Sequence, residues 1–441
     1  MKKNVLSIVQ IFLCFFVSTV NAQETYDLKR CIETALERNY NIRLVHNEQQ
    51  IAENNATLGN AGFLPSLDLN AGYSGTLNSP NQKYNDGTSS KTNNVLNQNA
   101  NLGLNLQWTI FNGFAMQTNY ERLKEFEKMG EINSRLAIEN LIADITAEYY
   151  NYVRQTLRLA NLQSAVDLSK ERLRIVETHY IIGSKSGLDL QQARVYFNAD
   201  SSNLIKQYET LYTSQVTLNR LMAVDDVSQE ILVTDSLINP DPFLQEETLW
   251  ASAEQSNPLL LLSYKNQTIS ELDLKNLQSR NYPYLRLNAG YGYTINTYGS
   301  GSMKQQDNLG FNYGFTVGFN IFDGFNKQRE QRNAKITIQN RKLQTEQLEQ
   351  SIRADWVKMW IAYRNNLDLI DLEKENLDVA KDYYEAAIDS YKLHSLSGIE
   401  LREAQNSLLG AEERLLQAQF NTKLCEISLL QISGQISSYL E

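Results

Sequence analysis

Glu400 and Glu403 stand three residues apart near the end of the chain, which puts both carboxylates on one face of a helix. Glu400 also closes the run Ser397-Gly398-Ile399-Glu400, and Asp189 closes the matching run Ser186-Gly187-Leu188-Asp189. Each run fits a capping box, in which the serine caps the next helix and the acid returns the bond. Asp189 and Glu400 thus have a structural role to perform, and Glu403 is the freer carboxylate.

The chemistry that is missing narrows the field. The chain holds three histidines and three cysteines, too few for a multi-histidine metal centre or a disulfide scaffold. No Gly-x-Ser-x-Gly elbow, phosphate loop, His-Glu-x-x-His or Cys-x-x-Cys occurs. Gly-Ser-Lys-Ser-Gly at 183–187 places Lys185 where a nucleophilic serine would stand. We therefore expect no enzyme activity, no cofactor and no bound metal. His394 reads as a solvated turn residue or, more sharply, as a pH- or metal-sensitive group.

The elements that carry these residues emerge from composition and pattern. Of 441 residues, 42% are hydrophobic and 21% charged, which excludes a disordered chain. A formal charge of −10 argues against binding nucleic acid through its phosphates. Six prolines permit long helices, and 24 tyrosines suit strands and membrane interfaces. Lys2 and Lys3, an apolar stretch at 5–20 and Val20-Asn21-Ala22 read as a signal peptide over residues 1–22, cleaved near Ala22. Cys31 and Cys425 then remain, both expected as small buried hydrophobes.

The remainder is a tandem repeat. LPSLDLNAGY at 64–73 matches YPYLRLNAGY at 282–291, TIFNGF at 109–114 matches NIFDGF at 320–325, and YIIGSKSGLDLQQA at 180–193 matches YKLHSLSGIELREA at 391–404. The first repeat spans 23–223, with a strand pair at 64–75 and 100–111 and a long helix hairpin at 113–223. A linker at 224–245 holds Pro240 and Pro242. The second repeat spans 246–441, with strands at 283–295 and 309–322 and a hairpin at 324–434. The four strands alternate strictly between apolar and polar residues over about ten positions, the pattern of a tilted transmembrane strand. Four strands cannot close a barrel, and lipid tolerates no open edge, so the chain must supply part of a shared barrel.

No proline interrupts 81–239 or 284–441. Leu401, Ala404, Leu408, Ala411, Leu415, Ala418, Thr422, Cys425, Leu429 and Ile432 form a heptad seam. Trp356, Trp360, Tyr363, Leu367, Ile370, Leu377, Tyr384, Ala387 and Tyr391 continue it on the preceding helix. Helices over about 115–181 and 326–392 would each reach about 100 Å. Tyr180 and Tyr391 are expected to pack the ends of the coil.

The paired NAGY strands, the TIFNGF and NIFDGF turns and the two Ser-Gly-[Leu/Ile]-[Asp/Glu]-Leu hairpin turns, taken in order, resemble the TolC-like outer-membrane efflux proteins over essentially the whole mature chain. The resemblance implies an α+β membrane protein: a homotrimer whose chains each give four strands to a twelve-stranded β-barrel in outer-membrane lipid, with long antiparallel α-helical coiled coils as a tunnel in the periplasm. It implies a passive exit duct docking a periplasmic adaptor and an inner-membrane transporter. Small molecules such as drugs are the expected cargo; metal efflux and type I secretion are the alternatives. From the residues alone, an exported structural coiled-coil protein with a small β anchor also fits.

The resemblance further implies a periplasmic gate from Glu400, Glu403, Asp189 and Tyr391, with Glu where the family carries Asp at both second-half positions. Three copies would ring six carboxylates, favouring cations and raising their pKa values. Gly183, Ser186, Gly187, Leu188, Leu396, Ser397 and Gly398 are the expected adaptor-contacting tips.

Overall fold

The structure, a computed structural model, describes residues 25–393 and 395–440. The expected signal peptide over residues 1–22 and His394 lie outside the described residues. In chain order the elements are β1 (Thr25–Tyr26), α1 (Leu28–Arg38), α2 (Tyr40–Asn55), α3 (Leu58–Ala61), β2 (Ser66–Asn78), β3 (Asn81–Lys83), β4 (Ser89–Lys91) and β5 (Val95–Asn112). Then follow α4 (Ala115–Ile181), α5 (Gly187–Met222), β6 (Leu232–Val233), α6 (Glu246–Ser256), α7 (Pro258–Ser279), β7 (Tyr284–Thr297), β8 (Gln305–Gly318), α8 (Asn326–Lys392), α9 (Gly398–Ile432) and a 3-10 turn (Ile436–Leu440). The chain folds as two compact units. Of the described residues, one takes those up to Arg43, 136–257 and those from 352 onward; the other takes 44–135 and 258–351.

The second of these units holds an antiparallel sheet in the order β2-β5-β7-β8. Register carries the alternation across all four strands. Leu69, Leu104, Tyr291 and Phe311 pair in one row, and Asp68, Asn105, Gly290 and Asn312 in the row beside it. Adjacent rows point to opposite faces, so one face is apolar and the other is built from small polar residues. Asn99 Nδ2 donates to Asn296 Oδ1 at 2.7 Å on the polar side. The large apolar residues opposite, Leu69, Tyr313 and Phe315 among them, are exposed. Among the described residues the outer sides of β2 and β8 are unpaired.

The strands differ from their sequence-predicted limits at both ends. β2 runs on to Asn78 and β5 begins at Val95, so the polar loop shrinks and carries its own small hairpin, β3 with β4. Alternation continues to Ile321 and the predicted strand to 322, but β8 stops at Gly318, which pairs with Tyr284. The preceding Pro283 has no N–H to extend the ladder. β5 continues to Asn112 because β7 flanks its other side, with a bulge between Thr109 and Phe111.

Both strand-to-helix turns have the same construction. Gly113 and Phe114 take φ of 69° and 71°, and Gly324 and Phe325 take 72° and 62°. Left-handed backbone is natural for glycine and costly for phenylalanine. The repeated aromatic pairs Phe111–Phe114 and Phe322–Phe325, edge to face at 5.2 and 5.3 Å, hold it in place. Asn112 Oδ1 accepts from the Met116 amide, and Asp323 Oδ2 from the Lys327 amide, satisfying first-turn donors of each helix.

In the helical unit, Ile32, Ile145, Tyr149, Leu218, Met222, Tyr363 and Leu429 are fully buried in one core. α4 and α8 are 67 residues each, over the spans the sequence predicts. On α9 the predicted seam is the inward face: Leu401, Ala404, Ala411, Ala418, Thr422, Cys425 and Leu429 are buried. The segment between the repeats packs rather than tethers. Ile231 and Ile238 are buried, β6 pairs in parallel with β1, the Asp241 amide donates to Glu426 Oε2 at 2.9 Å and the Tyr363 hydroxyl donates to the Asp241 carbonyl. Cys31 and Cys425 are buried free thiols, and burial pushes Cys31 up to about 12. Among the described residues no helix is long and apolar enough to cross a membrane.

Candidate functional site

At each hairpin turn a serine opens the returning helix. Ser186 is extended at φ −81°, ψ 159°, and Ser397 at φ −75°, ψ 158°. Ser186 Oγ accepts from the Asp189 amide at 3.2 Å, and the Ser186 amide donates to Asp189 Oδ2 at 3.0 Å. Ser397 Oγ accepts from the Glu400 amide at 3.3 Å, and the Ser397 amide donates to Glu400 Oε2 at 2.9 Å. Both capping boxes are complete. These bonds favour the charged carboxylates and lower the pKa of Asp189 and of Glu400. The expected rise is therefore reversed at Glu400 within one chain, because its carboxylate already accepts hydrogen bonds.

The turn before α5 is closed by Gly183 at φ +77°, with its amide donating to the Tyr180 carbonyl at 3.0 Å. Gly187 and Gly398 begin their helices, and nothing lies within 4 Å of the Cβ position at Gly398. Leu188 is 79% exposed, whereas Leu396 packs on the cluster of Ala387, Leu401 and Ala404 together with Tyr391. Tyr391 thus packs as expected, and burial raises its phenol pKa. Tyr180 does not: it is 47% exposed, because the turn leaves it beyond the last buried layer.

Asp189, Tyr391, Ser397 and Gly398 line one cavity of about 120 Å3 with Arg172 and Lys185. Glu403 lies instead, exposed, in an open groove beside Tyr196, Arg402 and Asn406. Among the described residues no group of three or more metal-binding side chains occurs.

A bidentate, largely buried ion pair joins the two hairpins, and the motifs did not announce it. Arg402 grips Asp200 bidentately, Nη1 to Oδ2 at 2.6 Å and Nη2 to Oδ1 at 2.7 Å, and Asp200 is only 4% exposed. Gln405 Nε2 donates to the Ala165 carbonyl at 3.4 Å, Arg154 Nη1 to Gln417 Oε1 at 2.7 Å, and Arg158 pairs with Glu413 at 3.2 Å. A signal for Asp200 exists in the sequence. Ala193, Asp200, Gln207 and Ser214 recur every seventh residue, so the polar members occupy the buried seam of α5.

These elements match known proteins over nearly the whole chain. The outer membrane efflux protein family matches residues 31–224 and 249–435. The chain belongs to the outer membrane efflux protein family. The two matched spans cover both halves of the duplication, and the family is one of efflux channels. Outer membrane protein TolC of Vibrio cholerae serotype O1 is 20% identical over 392 residues, covering 86% of this chain and 84% of that protein. The CmeC outer membrane channel of Campylobacter jejuni has the same fold at a TM-score of 0.77 and 17% identity, covering 92% of this chain and 85% of that one. The open state of the MtrE outer membrane channel of Neisseria gonorrhoeae gives 0.73 at 16% identity, covering 92% and 88%. The last two likenesses are of fold.

Proposed function

We propose that the protein is the passive outer-membrane exit duct of a tripartite efflux pump. It carries small molecules from an inner-membrane transporter and a periplasmic adaptor to the outside. The observation that carries this reading is the four-stranded sheet with one apolar face, one small polar face and two unpaired edges. Such edges are not stable in lipid, and three copies joined β8 to β2 would close a ring of twelve strands. The apolar face then meets lipid and the polar face a water-filled lumen. Asp68 and Arg286 are the charged members of the polar face along the paired strands, and they cancel. The polar face along the paired strands is thus close to neutral, and charge selection falls to the hairpin tips.

At the tips, Glu403 is our candidate for the gate, with Asp189, Tyr391 and Glu400 around it. Gly183, Ser186, Gly187, Leu188, Leu396, Ser397 and Gly398 form the surface offered to the adaptor. Planar-bilayer recording of the purified protein tests the duct. We expect a cation-preferring channel of low conductance, and a protein that inserts without conducting would refute it.

A further inference from the structure

At the tips one buried carboxylate faces two guanidinium groups. Arg402, from the second hairpin, occupies both oxygens of Asp200. Arg172, on α4 of Asp200's own hairpin, is 7% exposed and has no hydrogen-bond partner for Nη1 or Nη2. Both guanidinium carbons lie 5.2 Å from the centroid of the Tyr196 ring. Tyr196 and Asp200 are four residues apart on α5 and share a face, so Arg172 stands about one helical turn from the carboxylate.

A buried charge without hydrogen bonds is an unfavourable state. Burial and the like charge of Arg402 both act against Arg172, while Asp200 favours it. The other groups around Arg172 offer little relief. Tyr384 and Tyr391 bring neutral phenols, Lys185 is a cation, and Asp189 is engaged by Ser186.

We propose that Asp200 exchanges partners when the hairpins separate. Together, the hairpins are clamped by Arg402–Asp200, at the expense of an unsatisfied Arg172. Apart, Arg402 leaves, and Arg172 moves one turn to take Asp200 within the first hairpin. The carboxylate is never left bare, so the loss of the clamp is offset by the new pair. This rests on the tips being the gate of the duct.

Spin labels at the exposed positions Asn198→Cys on α5 and Asn406→Cys on α9, in the full-length protein in detergent, report hairpin separation. Arg402→Gln should lengthen the shortest distance component, because Arg172 captures Asp200. Arg172→Gln should do the opposite, narrowing that component at its short value and lowering the open fraction several-fold, because the separated state then has no partner for Asp200. Arg172→Met keeps the aliphatic stem and carries the same expectation. The exchange is overturned by an unchanged distance in Arg402→Gln. It is equally overturned if both Arg172 variants lengthen the distance or fail to fold, which would make Arg172 a packing residue. Conductance is read separately: distances that move as stated in a protein that does not conduct would uphold the exchange and defeat the duct.

Discussion

Ser397, Glu400 and Glu403 lie within seven residues and divide two tasks. Ser397 and Glu400 exchange hydrogen bonds across the first turn of α9, so their loss loosens the helix start. Ser397→Ala should cost about 1 kcal/mol of local stability, read as faster amide exchange at 398–401. Glu403 is exposed and caps nothing, so Glu403→Ala should leave that exchange unchanged while weakening divalent-cation block and cation preference. Single-channel recordings with selectivity and block both unaltered would remove Glu403 from the gate. The pH dependence follows in sign. The folded pKa of Glu400 is lowered, so its cap contributes fully above the ordinary glutamate value of about 4.3 and is lost as pH falls through the lowered value. The α9 start should fray only on acidification below that range. A second residue-scale case lies in the helical core. Lys423 and Glu426 pair at 2.7 Å with side chains 6% and 4% exposed, and the Tyr439 hydroxyl donates to the same Glu426 oxygen at 2.6 Å. Glu426→Ala leaves a buried ammonium without its counter-ion and should destabilise by about 3–5 kcal/mol. Replacing both by Met and Leu should recover most of that loss in thermal unfolding.

The helices were more legible than the sheet ends, for a physical reason. A heptad seam is set by the chain's own spacing, and α9 buries Leu401, Ala404, Ala411 and Ala418 as that spacing requires. Small residues on the seam let helices approach closely, so bulk there should be resisted. Ala404 is fully buried, and Ala404→Leu should cost about 1–3 kcal/mol through overpacking, measured as a lower midpoint of thermal unfolding. Strand ends depend on the neighbouring strand, and alternation alone does not see it. Phe319 and Ile321 keep the period of β8, yet the ladder ends at Gly318 where β7 begins. The capping boxes were readable because serine and acid sit three apart in one segment. The Arg402–Asp200 clamp joins residues 202 positions apart, and no local pattern names such a pair; the seventh-residue recurrence of polar groups on α5 marks only the buried place of Asp200.

At the scale of the whole chain, the duplication fixes what must be shared. Each repeat supplies one strand pair and one long hairpin, and the inner edges β5 and β7 meet at the centre of the sheet. That pairing uses one of the two edges of each strand pair, leaving β2 and β8 for further copies. The detergent-extracted protein should therefore have the mass of a trimer, and a stable monomer recovered from membranes would defeat the shared barrel. Orientation follows from the same connectivity. The segments 79–94 and 298–304 join the strands of a pair, while the turn at 182–186 joins α4 to α5 and α9 follows α8 in the second hairpin. A strand pair crosses the membrane once in each direction, so its connecting loop and the helices leaving its other end must lie on opposite sides. Ser89 is exposed in the first loop and Ser186 at the first helix turn, and Cys31 and Cys425 are buried, so single engineered cysteines report cleanly. A membrane-impermeant thiol reagent applied to intact cells should modify Ser89→Cys and leave Ser186→Cys untouched until the outer membrane is breached. Labelling of Ser186→Cys in intact cells, with Ser89→Cys protected, would invert the orientation and place the hairpin tips outside, where no inner-membrane transporter could reach them.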